Sequence, residues 1–369
     1  MVGAGVVGSA VALALARRGV APVVLEAERA PGLAASGSNS GILHTGFDSP
    51  AGELETELLL RSRQLRDAVL EALGLPVLRC GALLQPRVQG GRAAVRALAE
   101  NAARNGVAVE LDDNGALAVP GEAVTDPIAY TRALARASVR HGAELRLDAA
   151  VASVSRVRDR LRLGLATGGS VACRVAINCA GLRADEVARL AGDASFEIYP
   201  RKGEFLVFEP PGDAPLERIL LPVPTKRTKG VLVFPTLDGK VVAGPTAVDT
   251  DDKEDWSVRP EAAGEILPNA RAMLPALEGA QPVASYAGLR PAGRGVNYVV
   301  GPSRVCEGLL NVAAIRSTGL SASLAIGERV VGLVRTLGVA VGPERPLEPE
   351  VPEALERPWW RVVADHRAR

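Results

Sequence analysis

The sequence predicts an α/β protein whose dinucleotide-binding domain is discontinuous in the chain and is interrupted by a mainly antiparallel α+β domain. Three observations support this fold class. A glycine-rich motif at the start runs directly into an apolar helix-forming stretch. The segments 171–190 and 309–337 again pass from a strand through small residues into a helix, and the strand-rich segment 196–299 lies between them. With 369 residues, 47% of them hydrophobic, the chain can bury the core of two domains.

The motif at the start of the chain is Gly-x-Gly-x-x-Gly, followed by the helical stretch 9–18. Its first glycine permits a tight turn, the second lets the backbone approach a pyrophosphate, and the third lets helix pack on strand. The next predicted strand, 22–25, ends at Glu26, whose carboxylate can bind ribose hydroxyls and would repel a 2′-phosphate. A Rossmann-like site for an unphosphorylated dinucleotide is therefore expected, with the motif residues Gly3, Gly5, Val6, Val7 and Gly8.

Only Met1 and Val2 precede the motif, whereas a central strand usually has about five residues. The shortness of this first strand has two possible explanations. Either the sheet is built with a shortened first strand, or the natural protein has a short N-terminal extension that completes it. Sequencing the N-terminus of protein from its source distinguishes the two.

Charge and cysteine content exclude several classes of protein. The 43 basic and 42 acidic residues give a net charge of +1, so no general attraction to nucleic acid or anionic lipid is expected. The cysteines at 80, 173, 179 and 306 form no C-x-x-C pair, which argues against a zinc site, an iron–sulfur cluster or a disulfide framework. A reducing cytoplasm fits this usage. The apolar stretch 6–15 is too short for a membrane span and overlaps the glycine motif, so we do not interpret it as an anchor.

The remaining elements follow from apolar spacing and turn residues. After a Gly/Ser/Asn-rich loop at 27–48, helices are predicted for 54–73, 91–105, 126–141, 184–190 and 322–337. Strands are predicted for 79–86, 143–147, 151–157, 161–166, 171–178, 204–208, 231–235, 240–243, 285–290 and 309–314.

These elements give six segments. The nucleotide domain is expected from 1–78, 141–195 and 300–341, and the second domain from 79–140 and 196–299. The tail 342–369 has the proline- and charge-rich composition of a loosely ordered segment, and its Trp359-Trp360 pair is predicted to dock on the body of the protein.

Seven groups of residues carry a resemblance to a known family. They are 3–8 with Glu26, 38–46 (SNSGILHTG), 178–181 (NCAG), 200–205 (PRKGEF), 244–246 (GPT), 288–291 (GLRP) and 317–321 (STGLS). With them the chain, to about residue 337, resembles the FAD-dependent oxidoreductases of the D-amino-acid oxidase superfamily. Within that superfamily it looks most like the flavin subunit of glycerol-3-phosphate dehydrogenases, an interpretation favoured by 244–255 and 229–233. L-2-hydroxyglutarate dehydrogenases look similar too.

The resemblance implies FAD as cofactor. It implies that side chains of 38–40 hold the flavin or pyrophosphate, that Val151 contacts adenine, and that backbone N–H groups near 318–320 stabilise a reduced ring. The implied FAD-binding residues beyond the glycine motif and Glu26 are Ser38, Asn39, Ser40, Val151, Ala180, Gly181, Arg316, Ser317, Thr318, Gly319, Leu320 and Ser321. The resemblance departs in one respect, because no cysteine-rich C-terminal iron–sulfur region is present.

Four residues are candidates for substrate chemistry. His44 lies in the loop where the flavin ring should be, and an imidazole titrates near neutral pH, which suits a base or a partner of the substrate hydroxyl. Its alternatives are packing against the flavin, capping the loop, or covalent flavin attachment. Arg290 is the strongest anion ligand, since a guanidinium can hold carboxylate or phosphate through two bonds. Arg201 and Lys202 form either a second anion clamp or a solvated strand edge, and the basic run 226–229 is predicted to be a solvated turn.

The expected reaction is hydride transfer from a small anionic 2-hydroxy substrate to the flavin, with sn-glycerol 3-phosphate favoured over L-2-hydroxyglutarate. A quinone, oxygen or a redox protein would accept the electrons, and peripheral membrane or partner-subunit contact stays open. The alternatives are an amine oxidase of the D-amino acid or sarcosine type, and an FAD-binding scaffold subunit without its own catalysis. The glycine motif is also compatible with a nicotinamide dehydrogenase, although the segments 178–181 and 317–321 fit FAD better.

Overall fold

A computed structural model describes residues 1–86, 91–212, 215–224, 230–349 and 356–367. The basic run 226–229 lies outside these residues. The described helices are α1 (Val6–Ala16), α2 (Leu54–Ala72), α3 (Gly91–Arg104), α4 (Pro127–Arg140), α5 (Ala184–Leu190), α6 (Ala262–Met273), α7 (Gly319–Thr336) and α8 (Trp359–Arg367). Within the described residues, no helix has both the length and the apolar character needed to cross a bilayer.

The described strands divide into several sheets. They are β1 (Val23–Leu25), β2 (Ile42–Leu43), β3 (Val77–Leu78), β4 (Ala82–Leu84), β5 (Glu110–Leu111), β6 (Leu117–Val119), β7 (Ala123–Thr125), β8 (Glu144–Arg146), β9 (Val151–Val157), β10 (Arg160–Leu165), β11 (Ser170–Cys173), β12 (Ala176–Asn178), β13 (Ile198–Phe208), β14 (Ile219–Leu221), β15 (Leu232–Pro235), β16 (Val241–Gly244), β17 (Val248–Asp249), β18 (Ala284–Gly293), β19 (Val299–Pro302) and β20 (Leu309–Ala313).

One layer is a parallel sheet centred on the first residues. β1 pairs with β8 and β12 pairs with β20, both in parallel, and Val2 forms parallel bridges to Leu25 on one side and Asn178 on the other. The short first strand therefore joins the two pairs of strands. Helices α1 and α7 pack against each other, and apolar residues from both enter one core cluster with this sheet. As a result, the N-termini of α1 and α7 lie at the same edge of the sheet.

The second layer is a large, mostly antiparallel sheet. Its strand order is β17-β13-β16-β15-β14-β4-β6-β5, with β18 paired to β13. Helix α6 packs on this sheet through buried residues such as Ile266, and α8 packs against β18. The long β13–β18 pair is central to the site, because it places Arg201 directly opposite Arg290.

Several predicted elements differ from the structure. The single strand predicted for 171–178 is two strands, since β11 belongs to the antiparallel β9–β11 sheet whereas β12 pairs with β20. Helix α6 was not predicted, and Pro268 within it is a residue that normally disrupts helices. The tail is not uniformly loose: α8 is formed, and Trp359 and Trp360 are each only 2% exposed. The predicted docking of these tryptophans is confirmed.

Candidate active site

Two adjoining cavities lie where the two layers meet. The first, called the nucleotide cleft, lies at the N-termini of α1 and α7. The first turns of two helices that face one cleft favour an anionic ligand such as a pyrophosphate. The cleft is lined by Gly5, Val6, Val7, Gly8, Ala35, Ser36, Asn39, Cys179, Gly181, Pro291, Val312, Ala313, Ala314, Ile315, Arg316, Gly319 and Leu320.

Close backbone packing explains the glycines of the motif. Gly3 has φ +93°, and a Cβ added to it would lie 2.5 Å from the carbonyl oxygen of Cys179. A Cβ on Gly8 would lie 2.1 Å from the carbonyl oxygen of Gly3. Side chains at these two positions would push the start of α1 away from the strand end. Gly5 itself lines the cleft, as expected for the residue that lets the backbone approach a phosphate.

Glu26 is held at the end of β1 by backbone donors. Its Oε2 accepts from the N–H of Ala4 at 2.5 Å, and its Oε1 accepts from the N–H of Glu28 at 2.9 Å. Burial raises the pKa of Glu26, although these two hydrogen bonds act to lower it. Val151, predicted to contact adenine, is partly buried in the same apolar cluster as Val2 and Leu25. The geometry thus brings these two predicted ribose and adenine contacts to the same end of the sheet.

The turn before α7 is fixed by a buried carboxylate that sequence reasoning missed. Glu55, at the start of α2, accepts from the hydroxyl of Thr318 at 2.6 Å, from Asn297 at 2.7 Å and from Arg316 at 3.2 Å. Burial acts to raise the pKa of Glu55, but the bonds from Thr318 and Asn297 outweigh it, so the pKa is lowered. Arg316 lines both cavities and is therefore placed at their junction.

The second cavity, called the central cavity, has a volume of about 310 Å³ and adjoins the cleft through shared lining residues. It lies between the loop 35–44 and the β13–β18 strands. Its lining comprises Ala35, Ser38, Asn39, Ser40, Ile42, His44, Glu55, Arg201, Phe205, Gly230, Leu232, Pro245, Ala247, Gly288, Leu289, Arg290, Pro291, Ala292, Arg316 and Ser317.

His44 is oriented by a buried carboxylate. Its Nδ1 lies 3.0 Å from Oε2 of Glu122, a residue with no exposed surface, and its backbone N–H donates to Ser321 Oγ at 2.8 Å. The other oxygen of Glu122 accepts from the N–H and hydroxyl of Thr45 at 2.7 and 2.8 Å. Burial acts to raise the pKa of Glu122, but the charge and hydrogen bond of His44 together with Thr45 lower it on balance. An ionised Glu122 holds a proton on Nδ1 and leaves Nε2 able to accept one.

Arg290 brings positive charge into the central cavity without an acidic partner. Its guanidinium donates to the carbonyl oxygens of Arg201 at 3.2 Å and Thr246 at 3.4 Å. Among the described residues, no carboxylate lies within ion-pairing distance of it. Burial, together with the neighbouring charge of Arg201, lowers the pKa of Arg290 to about 10, so it stays protonated at neutral pH. A partly buried cation of this kind favours an anionic ligand.

The structure separates the two residues of the predicted second clamp. Arg201 lines the central cavity, where it forms two hydrogen bonds to Asp249 at 2.6 and 3.0 Å. Lys202 does not line that cavity. It is 2% exposed and donates to Asp255 at 2.5 Å and to the carbonyl of Ser257 at 3.1 Å. Successive residues in a strand point to opposite faces, so only one residue of this pair can reach the cavity. Lys202 is therefore no longer a candidate for substrate binding.

The predicted loop residues also take defined places. Asn39 donates to the carbonyl of Ser317 at 3.3 Å and accepts from the N–H of Gly41 at 2.9 Å, which ties the 38–40 loop to the turn before α7. Ser36, which was not predicted, accepts from the N–H of Val6 at 2.9 Å. Ser38 and Ser40 line the central cavity and Ser321 supports His44. Ala180 precedes Gly181 at the end of β12, beside the cleft.

Together the two cavities can hold an elongated dinucleotide and a small anion side by side. The cleft supplies helix N-termini and glycine backbone, and the central cavity supplies a partly buried guanidinium and an oriented imidazole. Within the described residues, no group of three or more His, Cys, Asp or Glu side chains could hold a metal ion. The helix N-termini, the guanidinium and the imidazole suit a phosphate-containing organic cofactor and a substrate with one anionic group and one exchangeable proton.

Comparison with known families and proteins agrees with this chemistry. The family described as DAO, FAD dependent oxidoreductase, matches residues 1–333. A glycerol 3-phosphate dehydrogenase of Caloramator mitchellensis is 26% identical, over 96% of this chain and 78% of the relative. A glycerol 3-phosphate oxidase of Mycoplasma pneumoniae is 26% identical, over 90% of this chain and 93% of the relative. An L-2-hydroxyglutarate dehydrogenase of Escherichia coli K12 is also 26% identical, over 72% of this chain and 68% of the relative.

Solved structures share the fold. The L-alpha-glycerophosphate oxidase of Mycoplasma pneumoniae with FAD bound superposes with a TM-score of 0.87 at 24% identity, covering 96% of this chain and 98% of that one. Glycine oxidase from Geobacillus kaustophilus superposes with a TM-score of 0.80 at 24% identity, covering 92% and 95%. The α/β architecture predicted from the sequence is thereby confirmed.

Proposed function

The chain belongs to the DAO family of FAD-dependent oxidoreductases, and from this premise we propose that it oxidises the CH–OH group of sn-glycerol 3-phosphate. The family membership makes FAD its cofactor and hydride transfer its chemistry. The relatives named for glycerol 3-phosphate cover most of the chain and support this substrate. The observation that carries the proposal is the pairing, in one cavity, of Arg290, a partly buried cation with no acidic partner among the described residues, with the oriented base His44.

The nucleotide cleft has the donors that FAD requires. We propose that Gly5, Val6 and the first turn of α1 hold the pyrophosphate, that Glu26 holds the adenosine ribose, and that the start of α7 faces the flavin. The crowding around Gly3 and Gly8 fits this role, since it leaves the helix N-terminus close to the strand end. Bound FAD supplies the acceptor for the substrate hydride.

The residues of the central cavity have different proposed roles in substrate binding and proton removal. Arg290 binds the anionic end of the substrate through its planar guanidinium. His44 accepts the hydroxyl proton at Nε2 while Glu122 keeps the imidazole in the required tautomer through Nδ1. Arg201 is already neutralised by Asp249, so it shapes the cavity and adds little net charge. The substrate is thus held at one end and deprotonated at the other.

L-2-hydroxyglutarate is the second candidate substrate, because Arg290 can hold a carboxylate as well as a phosphate and because relatives carry that name. Amino acids also carry a carboxylate that Arg290 could hold, so the amine alternative is distinguished by its pH profile. Turnover of an amine should rise on the alkaline side, because the amine must lose its proton before a hydride can leave. For the electron acceptor we propose oxygen or a quinone, which the rate of reoxidation of the reduced protein by each would distinguish.

The experiment is an anaerobic titration of the FAD-loaded protein, followed at the flavin absorbance maximum. sn-Glycerol 3-phosphate should bleach the flavin, whereas L-2-hydroxyglutarate, glycine and D-amino acids should not at the same concentrations. Arg290→Ala should raise the substrate concentration needed for bleaching by about 100-fold. Arg304→Ala, which removes an exposed arginine outside both cavities, is the matched control. Bleaching by L-2-hydroxyglutarate alone, or no effect of Arg290→Ala, contradicts the proposal.

A further inference from the structure

Three arginines among the described residues line the central cavity, and they differ in whether a carboxylate pairs with them. Arg316 donates to Glu55 at 3.2 Å. Arg201 forms two hydrogen bonds to Asp249, at 2.6 and 3.0 Å. The hydrogen bonds of Arg290 go to two backbone carbonyl oxygens instead. The described residues therefore give the cavity one arginine whose charge is not matched by a neighbouring carboxylate.

Arg201 and Arg290 lie side by side on the sheet. They are directly opposite each other in the antiparallel β13–β18 pair, so their side chains point to the same face. Like charges at such positions repel each other. Burial, and then the charge of Arg201, lower the pKa of Arg290, and the charge of Asp249 acts in the opposite direction. Asp249 thus stands beside two cations and neutralises one of them directly.

The two candidate substrates of the proposed function differ at one end only. In both compounds the same number of bonds separates the reacting carbon C2 from the atom that carries the terminal anionic oxygens. That atom is phosphorus in sn-glycerol 3-phosphate and C5 in L-2-hydroxyglutarate. At C1 the first compound has a neutral hydroxymethyl group, whereas the second has a carboxylate. A cavity that accepts L-2-hydroxyglutarate must therefore satisfy a second anionic group.

We propose that Asp249 is a specificity-determining residue that limits the central cavity to substrates with a single anionic group. The inference rests on the proposed function, in which Arg290 holds that group. By pairing with Arg201, Asp249 occupies the cation that a second carboxylate would need, and its own charge repels such a carboxylate. A substrate with a neutral group at C1 meets neither obstacle.

A second carboxylate gains little by displacing Asp249. The side chains of the pair are 29% exposed for Arg201 and 55% exposed for Asp249, and ion pairs in contact with solvent contribute little net free energy. Exchanging one carboxylate for another at Arg201 forms one ion pair and breaks another. Once the charge of Asp249 is removed, the guanidinium can bind a ligand carboxylate through two parallel hydrogen bonds. Removing that charge should therefore favour ligands with two carboxylates.

The test compares two ligands that differ by one carboxylate. The dissociation constants of glutarate and of pentanoate, whose carbon chains are equally long, are measured by isothermal titration calorimetry with the FAD-loaded protein. Asp249→Asn and Asp249→Ser each remove the acidic charge. Asp249→Asn combined with Arg201→Gln removes the cation as well. Asp251→Asn is the matched control, because it removes a nearby exposed acid that pairs with Arg294 outside the central cavity.

Glutarate should bind about tenfold more tightly to both single variants at position 249, because Arg201 becomes available to it. Pentanoate should stay within about twofold of its wild-type affinity, since it has no second carboxylate. The double variant and Asp251→Asn should bind both ligands as the wild type does. A merely structural role of Asp249 would change the affinity for both ligands alike. Unchanged glutarate binding in the single variants, or an equal gain for pentanoate, overturns the inference.

Flavin bleaching of the wild type separates this inference from the proposed function. If sn-glycerol 3-phosphate bleaches the flavin and glutarate binding does not respond to Asp249, the inference fails and the proposed function stands. If neither hydroxy compound bleaches the flavin but the gain for glutarate is observed, the proposed reaction fails and the role of Asp249 in ligand choice stands. If L-2-hydroxyglutarate alone bleaches the flavin, both fail, because the native cavity then accepts a second anionic group.

Discussion

The guanidinium of Arg290 occupies the space that a side chain on Gly203 would fill. A Cβ added to Gly203 would lie 2.4 Å from Nη2 of Arg290 and 2.9 Å from Cβ of Pro245. Gly203 faces Gly288 across the β13–β18 pair, one register position beyond Lys202. The absence of a side chain at Gly203 therefore leaves room for the guanidinium of Arg290 at this position.

Gly203→Ala should displace the Arg290 guanidinium and weaken substrate binding. We expect KM to rise by about tenfold with a smaller change in kcat, since the substitution moves the anion ligand and leaves His44 in place. Steady-state kinetics with sn-glycerol 3-phosphate measures both. Gly264→Ala, within α6 where an added Cβ meets no atom within 4 Å, is the matched control. An unchanged KM in Gly203→Ala would show that Arg290 does not bind the substrate anion.

Glu122→Gln should reduce kcat more than it changes KM. The amide keeps the size of the side chain but no longer carries the charge that holds the Nδ1 proton of His44. We expect kcat to fall by about 10- to 100-fold, with KM within about twofold of wild type. Glu110→Gln, at an exposed position in β5, controls for loss of an acidic group. A rise in KM without loss of kcat would assign Glu122 to binding instead.

Asp126→Asn should stabilise the protein at neutral pH and lose this effect in acid. Asp126 caps α4 by accepting from the N–H groups of Ile128 and Ala129, and burial raises its pKa to about 6, with Asp238 adding to the rise and Arg132 opposing it. Between the ordinary value of 3.8 and about 6, the native state binds more protons than the unfolded state, so this residue's contribution to stability rises as pH falls.

Asparagine preserves the cap without the buried charge, so its advantage should be at most about 3 kcal/mol at pH 7 to 8. The advantage should shrink towards zero near pH 4. Urea unfolding of wild type and variant at several pH values measures the difference, and Asp159→Asn serves as the control. A stability difference that does not change with pH would contradict the raised pKa.

Trp359→Ala should destabilise the protein by about 3 to 5 kcal/mol, because it empties a large buried site. The indole packs edge-to-face on Tyr286 at 5.3 Å, and Tyr286 stacks on Phe205 at 4.7 Å, a residue that lines the central cavity. We therefore also expect a modest rise in KM. Urea unfolding measures the first effect, with Arg304→Ala, at an exposed position outside α8, as control. A loss below about 1 kcal/mol would mean that α8 is not part of the cooperative fold.

The nucleotide cleft could be predicted because the sequence features that mark it lie close together in the chain. The glycine spacing, the acid after the second strand and the turn before α7 each lie within one strand–turn–helix unit, where steric demands act on neighbouring residues. The alternation of side chains along a strand would also have placed Arg201 and Lys202 on opposite faces. The predicted strand began too late for this, at residue 204, whereas β13 begins at residue 198.

The partner of His44 could not be found in this way. Glu122 lies 78 positions along the chain, in the turn between β6 and β7, and reaches His44 because β7 pairs with β2. No periodicity or spacing links the two residues, since the pairing is a property of the tertiary fold. Glu55 is similar, as it meets Thr318 only when α2 packs against α7.

The bridges that Val2 makes to Leu25 and Asn178 constrain the order in which the protein can be assembled during synthesis. The central position of the parallel sheet lacks one neighbour until residue 178 has left the ribosome, and the second helix N-terminus of the cleft is not made until residue 319. Contacts so distant in sequence form slowly. A nascent chain shorter than this has half a cleft, so FAD should be captured only at the end of translation. The cofactor is then expected to bind only after α1 and α7, which are distant in the sequence, have packed together.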